Sequence, residues 1–159
     1  MKINIICVGK IKESYFRDAI QEYMKRLSRY VQLEITEVRD EKAPDTLTAA
    51  EEDIVKKKEG EKILKHISAQ DFLVCLEVDS KQLDSVAFAD FFEQKKNTSV
   101  GKITFVIGGS LGLSKEVLQR ADFKISFSKM TFPHQLMRVI LLEQIYRAMR
   151  IISGEPYHK

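Results

Sequence analysis

Gly108, Gly109 and Gly112 are three of the chain's seven glycines, and all fall within Ile103-Thr-Phe-Val-Ile-Gly-Gly-Ser-Leu-Gly-Leu-Ser114. The segment reads as a buried strand, a glycine-rich turn and a helix start. Glycine clusters where the backbone needs a positive φ or where another group must approach it closely. At the carboxyl end of a strand in an α/β protein, that group is commonly a ligand. The spacing fits neither standard nucleotide motif. G-x-G-x-x-G fails because Gly108 and Gly109 are adjacent, and the P-loop fails because no Gly-Lys-Ser/Thr follows. The turn therefore reads as a small-molecule site of a different kind.

Two more segments join it. Residues 127–132, Phe-Ser-Lys-Met-Thr-Phe, leave the last strand of the chain, and Leu76 lies near the end of an earlier one. In a parallel sheet, loops leaving the carboxyl ends of strands share one rim. Three such loops can build one pocket of backbone amides and carbonyls, which suits a nucleoside better than a polyphosphate. The titratable groups are sparser. His66 sits in a charged helix, His134 follows Pro133 at the start of the last helix, and His158 is next to last in the chain. No pair has metal-ligand spacing, so no metal is expected. Arg138, Arg147 and Arg150, with Lys124, Lys129 and Lys159, offer a basic rim, although ordinary solvated charge is the default for each alone.

The elements that must position these residues follow from periodicity. Residues 3–8 are a strand closed by Gly9, and Ser14 caps a helix with apolar Phe16, Ala19, Ile20, Tyr23 and Leu27. Residues 31–38 alternate as a half-buried strand. Thr48 and Glu51 form a capping box for a charged helix to about Ile67, weakened by Gly60. A fully buried strand spans 72–78. Asp84 or Ser85 caps a helix carrying Phe88, Phe91 and Phe92. Strand 103–107 leads through the glycine turn to a short helix from Ser114. Strand 123–127 follows, and the last helix runs from Pro133, in its first turn, to about Ile152 before Gly154-Glu-Pro156. Strands alternating with helices predict an α/β fold, a mainly parallel sheet covered on both faces. The last helix is apolar nearly all round, which predicts burial on more than one side and favours a homodimer.

Composition sets the limits. A chain of 159 residues with 44% apolar and 31% charged residues reads as one globular domain, 1–159. No apolar run approaches the ~20 residues of a membrane span, and the start lacks signal-peptide character, so no membrane association and a cytoplasmic location are expected. Cys7 and Cys75 sit in apolar runs and read as reduced, buried hydrophobes. The net charge of +3 is too small for strong non-specific nucleic-acid binding, so an RNA partner has to be recognised by a local patch or by shape.

Three motifs in order carry a resemblance: the glycine turn 105–114, the segment Ser128-Lys-Met-Thr-Phe-Pro-His-Gln-Leu-Met-Arg138 with Glu143-Gln-Ile-Tyr-Arg-Ala148, and terminal Pro156-Tyr-His-Lys159. Together they resemble a family of small ribosomal RNA large-subunit methyltransferases within the SPOUT superfamily, over the whole chain. The resemblance implies a deep trefoil knot over about 72–155, a homodimer, and S-adenosyl-L-methionine as cofactor. The matching cofactor positions are Leu76, Gly108 with its neighbour Gly109, and Phe127, Ser128, Lys129, Met130, Thr131 and Phe132. The implied reaction is methylation of N3 of a pseudouridine in helix 69 of 23S ribosomal RNA, on the assembled ribosome.

That reaction needs the weakly acidic N3–H proton removed, or its loss stabilised by cations. His134, Arg138, Tyr157 and His158 are the available groups. Tyr157 and His158 are expected to position the base or assist deprotonation, in their own subunit or across a dimer, and Arg138 to stabilise the anion. Two rivals stand beside this reading: a nucleotide-binding α/β enzyme and a non-catalytic ribosome-associated factor.

Overall fold

The structure is a computed structural model that describes residues 1–98 and 100–159. Five strands and five helices alternate: β1 Lys2–Val8, α1 Ser14–Leu27, β2 Gln32–Val38, α2 Ala49–Leu64, β3 Phe72–Gln82, α3 Ser85–Asn97, β4 Lys102–Ile107, α4 Lys115–Arg120, β5 Phe123–Ser126 and α5 His134–Ile152. The strands form one sheet in the order β2-β1-β4-β3-β5. Every pairing between these strands is parallel, so the α/β reading holds, with no antiparallel strand among the described residues.

Period-two alternation feeds two cores. Ile3, Ile5, Cys7, Ile103, Phe105 and Ile107 point to the face covered by α1, α3 and α5. Ile6, Val8, Val106 and Cys75 point to the face covered by α2 and α4. The two free cysteines thus pack on opposite faces of the sheet. Burial raises both thiols to about 12, which keeps them inert at neutral pH.

Several boundaries differ from expectation, each for a local reason. Ser14 is the first helical residue; the cap position is Glu13, which makes no side-chain cap bond. Thr48 and Glu51 form the expected capping box, but α2 ends at Leu64. Asp84, not Ser85, caps α3, its carboxylate accepting from Ala87 N. Pro133 stands at the cap of α5 rather than inside its first turn. The strand expected to be buried over 72–78 runs on to Gln82, and only Leu73, Val74 and Cys75 are fully buried. Its register against β5 slips, because Leu76 and Lys81 both pair with Ile125. Residues 77–80 are thereby pushed out of the ladder at the sheet's carboxyl rim.

α5 lies between α1 and α3 on the sheet, which accounts for most of its apolar surface within one chain. Leu141, Leu142, Ile145, Ala148 and Met149 are buried, whereas Leu136, Val139 and Ile140 remain half-exposed.

Candidate active site

The bulged part of β3 and the loops after β4 and β5 meet at the carboxyl rim and surround a cavity of about 320 Å³, within the size range of small-ligand sites. Leu76, Gly108, Gly109, Phe127, Ser128, Met130, Thr131 and Phe132 all line it, so eight of the nine nominated binding positions come together. Lys129, the ninth, does not. His134 and Met137 of α5 close one side.

The glycines serve the turn itself. Gly112 has φ +87°, and its N–H donates to Gly109 O at 3.1 Å. A Cβ on Gly108 would stand 3.0 Å from the Gly112 carbonyl carbon, and one on Gly109 would stand 3.2 Å from Glu59 Oε2 and from Val8 Cγ1. The protein thus approaches itself closely at both glycines, and both also line the cavity. Ser114 then caps α4 by accepting from Val117 N at 3.3 Å. In the 127–132 loop, Ser126 Oγ donates to Ser128 O at 3.0 Å and Met130 N donates to Ser128 Oγ at 3.0 Å.

Sequence reasoning missed part of the wall. Glu77 and Val78 line the cavity because of the β3 bulge, which no sequence periodicity announced. Glu59, 6% exposed on α2, stands behind Gly109, with Oε1 accepting from Glu41 N at 3.1 Å. Burial holds its carboxyl above the ordinary range. A buried charge in the middle of a charged helix gave no signal of its own.

The four nominated catalytic residues are not gathered in one place. His134 alone lines the cavity. Burial, reinforced by the Arg138 charge, lowers its pKa below the ordinary 6.5, so the ring is neutral at pH 7. Arg138, 1% exposed, is spent inside the protein: Nη1 donates to Glu37 Oε1 at 2.7 Å, and Nη2 donates to Val8 O at 3.2 Å and Gly9 O at 2.6 Å. It is a clamp between α5 and the ends of β1 and β2, and it does not line the cavity. Its Nε is buried without a partner among the described residues.

Tyr157 and His158 fold back on the far half of α5. Tyr157 Oη donates to Glu143 Oε1 at 3.2 Å, its ring lies 4.6 Å from the Arg147 guanidinium, and His158 Nδ1 is 3.4 Å from Arg147 Nη1. Burial and the Glu143 charge raise the Tyr157 phenol, so it is a donor rather than a base. At 1.5 Å rise per residue, Arg147 stands roughly 20 Å along the helix from His134. Within one chain the tail does not line the cavity.

Among the described residues no lysine or arginine lines the cavity, and apart from His134 and Glu77 its walls carry no titratable group. That donor set fits an uncharged nucleoside body and leaves a polyphosphate without counter-charges. Among the described residues there is no cluster of metal-ligating side chains and no helix long and apolar enough to cross a membrane.

A parallel α/β sheet with a cavity across the carboxyl ends of three strands defines an α/β protein with a small-molecule site at the sheet's rim. The model of a family described as predicted SPOUT methyltransferase matches residues 1–158, and the chain belongs to that family, which carries the α/β knot fold. It is 58% identical over 159 residues, the full length of both chains, to the "Ribosomal RNA large subunit methyltransferase H" of Carboxydothermus hydrogenoformans. Proteins of the same name from Clostridium botulinum strain Kyoto and Clostridium beijerinckii are 58% and 57% identical over the same full length. The resemblance seen in the three sequence motifs is borne out, and the chain is a methyltransferase. A non-catalytic role is set aside.

Proposed function

We propose that the chain methylates N3 of a pseudouridine in helix 69 of 23S ribosomal RNA, on the assembled ribosome, with S-adenosyl-L-methionine as methyl donor. The full-length identity to proteins named for this class of reaction carries the reading. The cavity walled by residues 76, 108–109, 127–128 and 130–132, which offers no cationic side chain among its described lining to hold a phosphate, supports the choice of cofactor. Its knotted part spans about 72–155, within a single domain of 1–159, and the enzyme works in the cytoplasm.

Bound in that cavity, adenosylmethionine supplies an electrophilic methyl group on its sulfonium. The protein's own work is positioning and proton handling. His134, neutral at pH 7 and at the cavity wall, accepts the N3 proton as the nitrogen becomes a nucleophile. Arg138 acts through it: the clamp to Glu37 and the Val8 and Gly9 carbonyls fixes the first turn of α5, where His134 stands. Lys129, exposed beside the cavity, meets the substrate or the cofactor's polar end. Tyr157 and His158 hold the target base.

A homodimer supports that last role. Leu136, Val139 and Ile140 form a half-exposed apolar stripe on α5, and Ile140 also borders a second cavity that shares Phe127 and Phe132 with the first. A two-fold axis perpendicular to α5 through this stripe sets the two helices antiparallel. The tail of one subunit then reaches the cavity mouth of the other. Transfer of a labelled methyl group to intact ribosomes that lack the modification tests the reading. Transfer to ribosomes but not to free RNA is the expected result, and no transfer to either would sink it.

A further inference from the structure

The β1–α1 loop, residues 9–13, and the residues just after it hold chemistry that the cofactor cavity does not use. Lys10 and Lys12 are exposed, and neither forms an ion pair among the described residues. Tyr15 is 64% exposed, the one aromatic among the large apolar side chains described as exposed. Its ring meets Phe16 at 4.7 Å between centroids, so one edge is supported and the rest is open. Glu13 is the only carboxylate in the loop.

The backbone beneath these side chains is fixed. Gly9 N donates to Val38 O at 2.8 Å, and Arg17 Nη1 donates to Ile11 O at 3.2 Å and Lys12 O at 2.9 Å. Lys12 N donates to Gln135 Oε1 at 3.2 Å, which ties the loop to the start of α5. A Cβ placed on Gly9 would lie 3.8 Å from His134 Nε2, so the loop borders the residue at the cavity wall. Preorganised backbone leaves only side-chain entropy to lose on binding.

Lysine is a hydrated point charge suited to phosphates, and an open aromatic ring suits an unstacked base. Duplex RNA offers phosphates but no free base face, whereas a hairpin loop offers both. We propose that Lys10, Lys12 and Tyr15 form a docking platform for unpaired RNA nucleotides flanking the methylated base, the lysines on phosphates and Tyr15 stacked on a neighbouring base. The inference rests on the ribosomal RNA reading above. It also explains how a chain of net charge +3 can bind RNA through a local patch.

The test is steady-state methyl transfer to unmodified ribosomes by wild type, Lys10→Ala/Lys12→Ala, Tyr15→Ala and Tyr15→Phe, with cofactor affinity measured by calorimetry and photo-crosslinks mapped by mass spectrometry. The double lysine variant should raise KM for ribosomes about tenfold and flatten its salt dependence by about one logarithmic slope unit per lysine. Tyr15→Ala should raise KM about tenfold and Tyr15→Phe should restore it. Cofactor Kd should stay put in all variants, and Tyr15 should crosslink to an RNA nucleotide. An unchanged KM and salt slope in the lysine variant, or a Tyr15 crosslink to ribosomal protein, overturns the platform alone. Failure of wild type to transfer methyl overturns the ribosomal reading and the platform with it.

Discussion

Arg138 Nη1 lies 2.7 Å from Glu37 Oε1, and the same guanidinium holds the carbonyls of Val8 and Gly9. One side chain of α5 thus locks the carboxyl ends of β1 and β2 beside the cavity. At 1% exposed it leaves no room for solvent to replace it. Arg138→Met leaves the Val8 and Gly9 carbonyls without their donor, whereas Glu37 stays in contact with solvent, and is expected to destabilise the fold by about 1–3 kcal/mol. A lowered urea midpoint at unchanged slope checks this. Arg138→Lys keeps the charge but not the fork, and should recover little.

His134 gives a pH signature of two kinds. Its folded pKa lies below 6.5, chiefly through burial, so the unfolded chain takes up the proton first as pH falls. The sign follows: stability from this group is intact above 6.5 and declines below it. If His134 is the base, kcat/KM rises with pH and levels off at an inflection below 6.5. His134→Asn should lower transfer by about 10²–10⁴-fold and remove that inflection. A pH–rate profile of both proteins decides the matter.

Gly60 sits where α2 presses on the cap of α4. A Cβ there would stand 2.3 Å from Ser114 Oγ, 3.0 Å from Ser114 Cβ and 3.2 Å from Val117 Cγ2. Helix propensity favours Gly60→Ala by about 1 kcal/mol, whereas forced separation of packed helices costs about 1–3 kcal/mol. Because the nearest backbone-linked atom, Ser114 Cβ, cannot rotate away, we expect net destabilisation. A thermal melt reads the sign directly.

Removing residues 155–159 deletes the Arg150–Glu155 pair and the Tyr157 contacts with Glu143 and Arg147. The core is untouched, so the truncated chain should fold and bind cofactor. Methyl transfer to ribosomes should fall about 10²-fold or more, the scale of lost positioning. Full transfer by the truncated enzyme would remove the tail from the mechanism.

Much of the fold was legible because its cause is local. Capping by Thr48 and Asp84, the continuous burial of β4 and the glycine turn all follow from neighbouring residues. Most of the cavity was legible too, since Leu76, Gly108 and residues 127–132 leave parallel strands on one rim. What escaped depends on distant partners. The β3 bulge arises from pairing with Ile125. Glu59 earns its burial from Gly109, fifty positions away, and Arg138 from Val8, Gly9 and Glu37 at the other end of the chain. A lone arginine on a helix cannot announce whether it faces a substrate or a carbonyl.

The most direct measurement is mass mapping of 23S ribosomal RNA after wild-type enzyme and adenosylmethionine act on ribosomes that lack the modification. The account predicts one new methyl group on N3 of a pseudouridine in helix 69. A methyl group on another nucleotide, or none on ribosomal RNA, would contradict it.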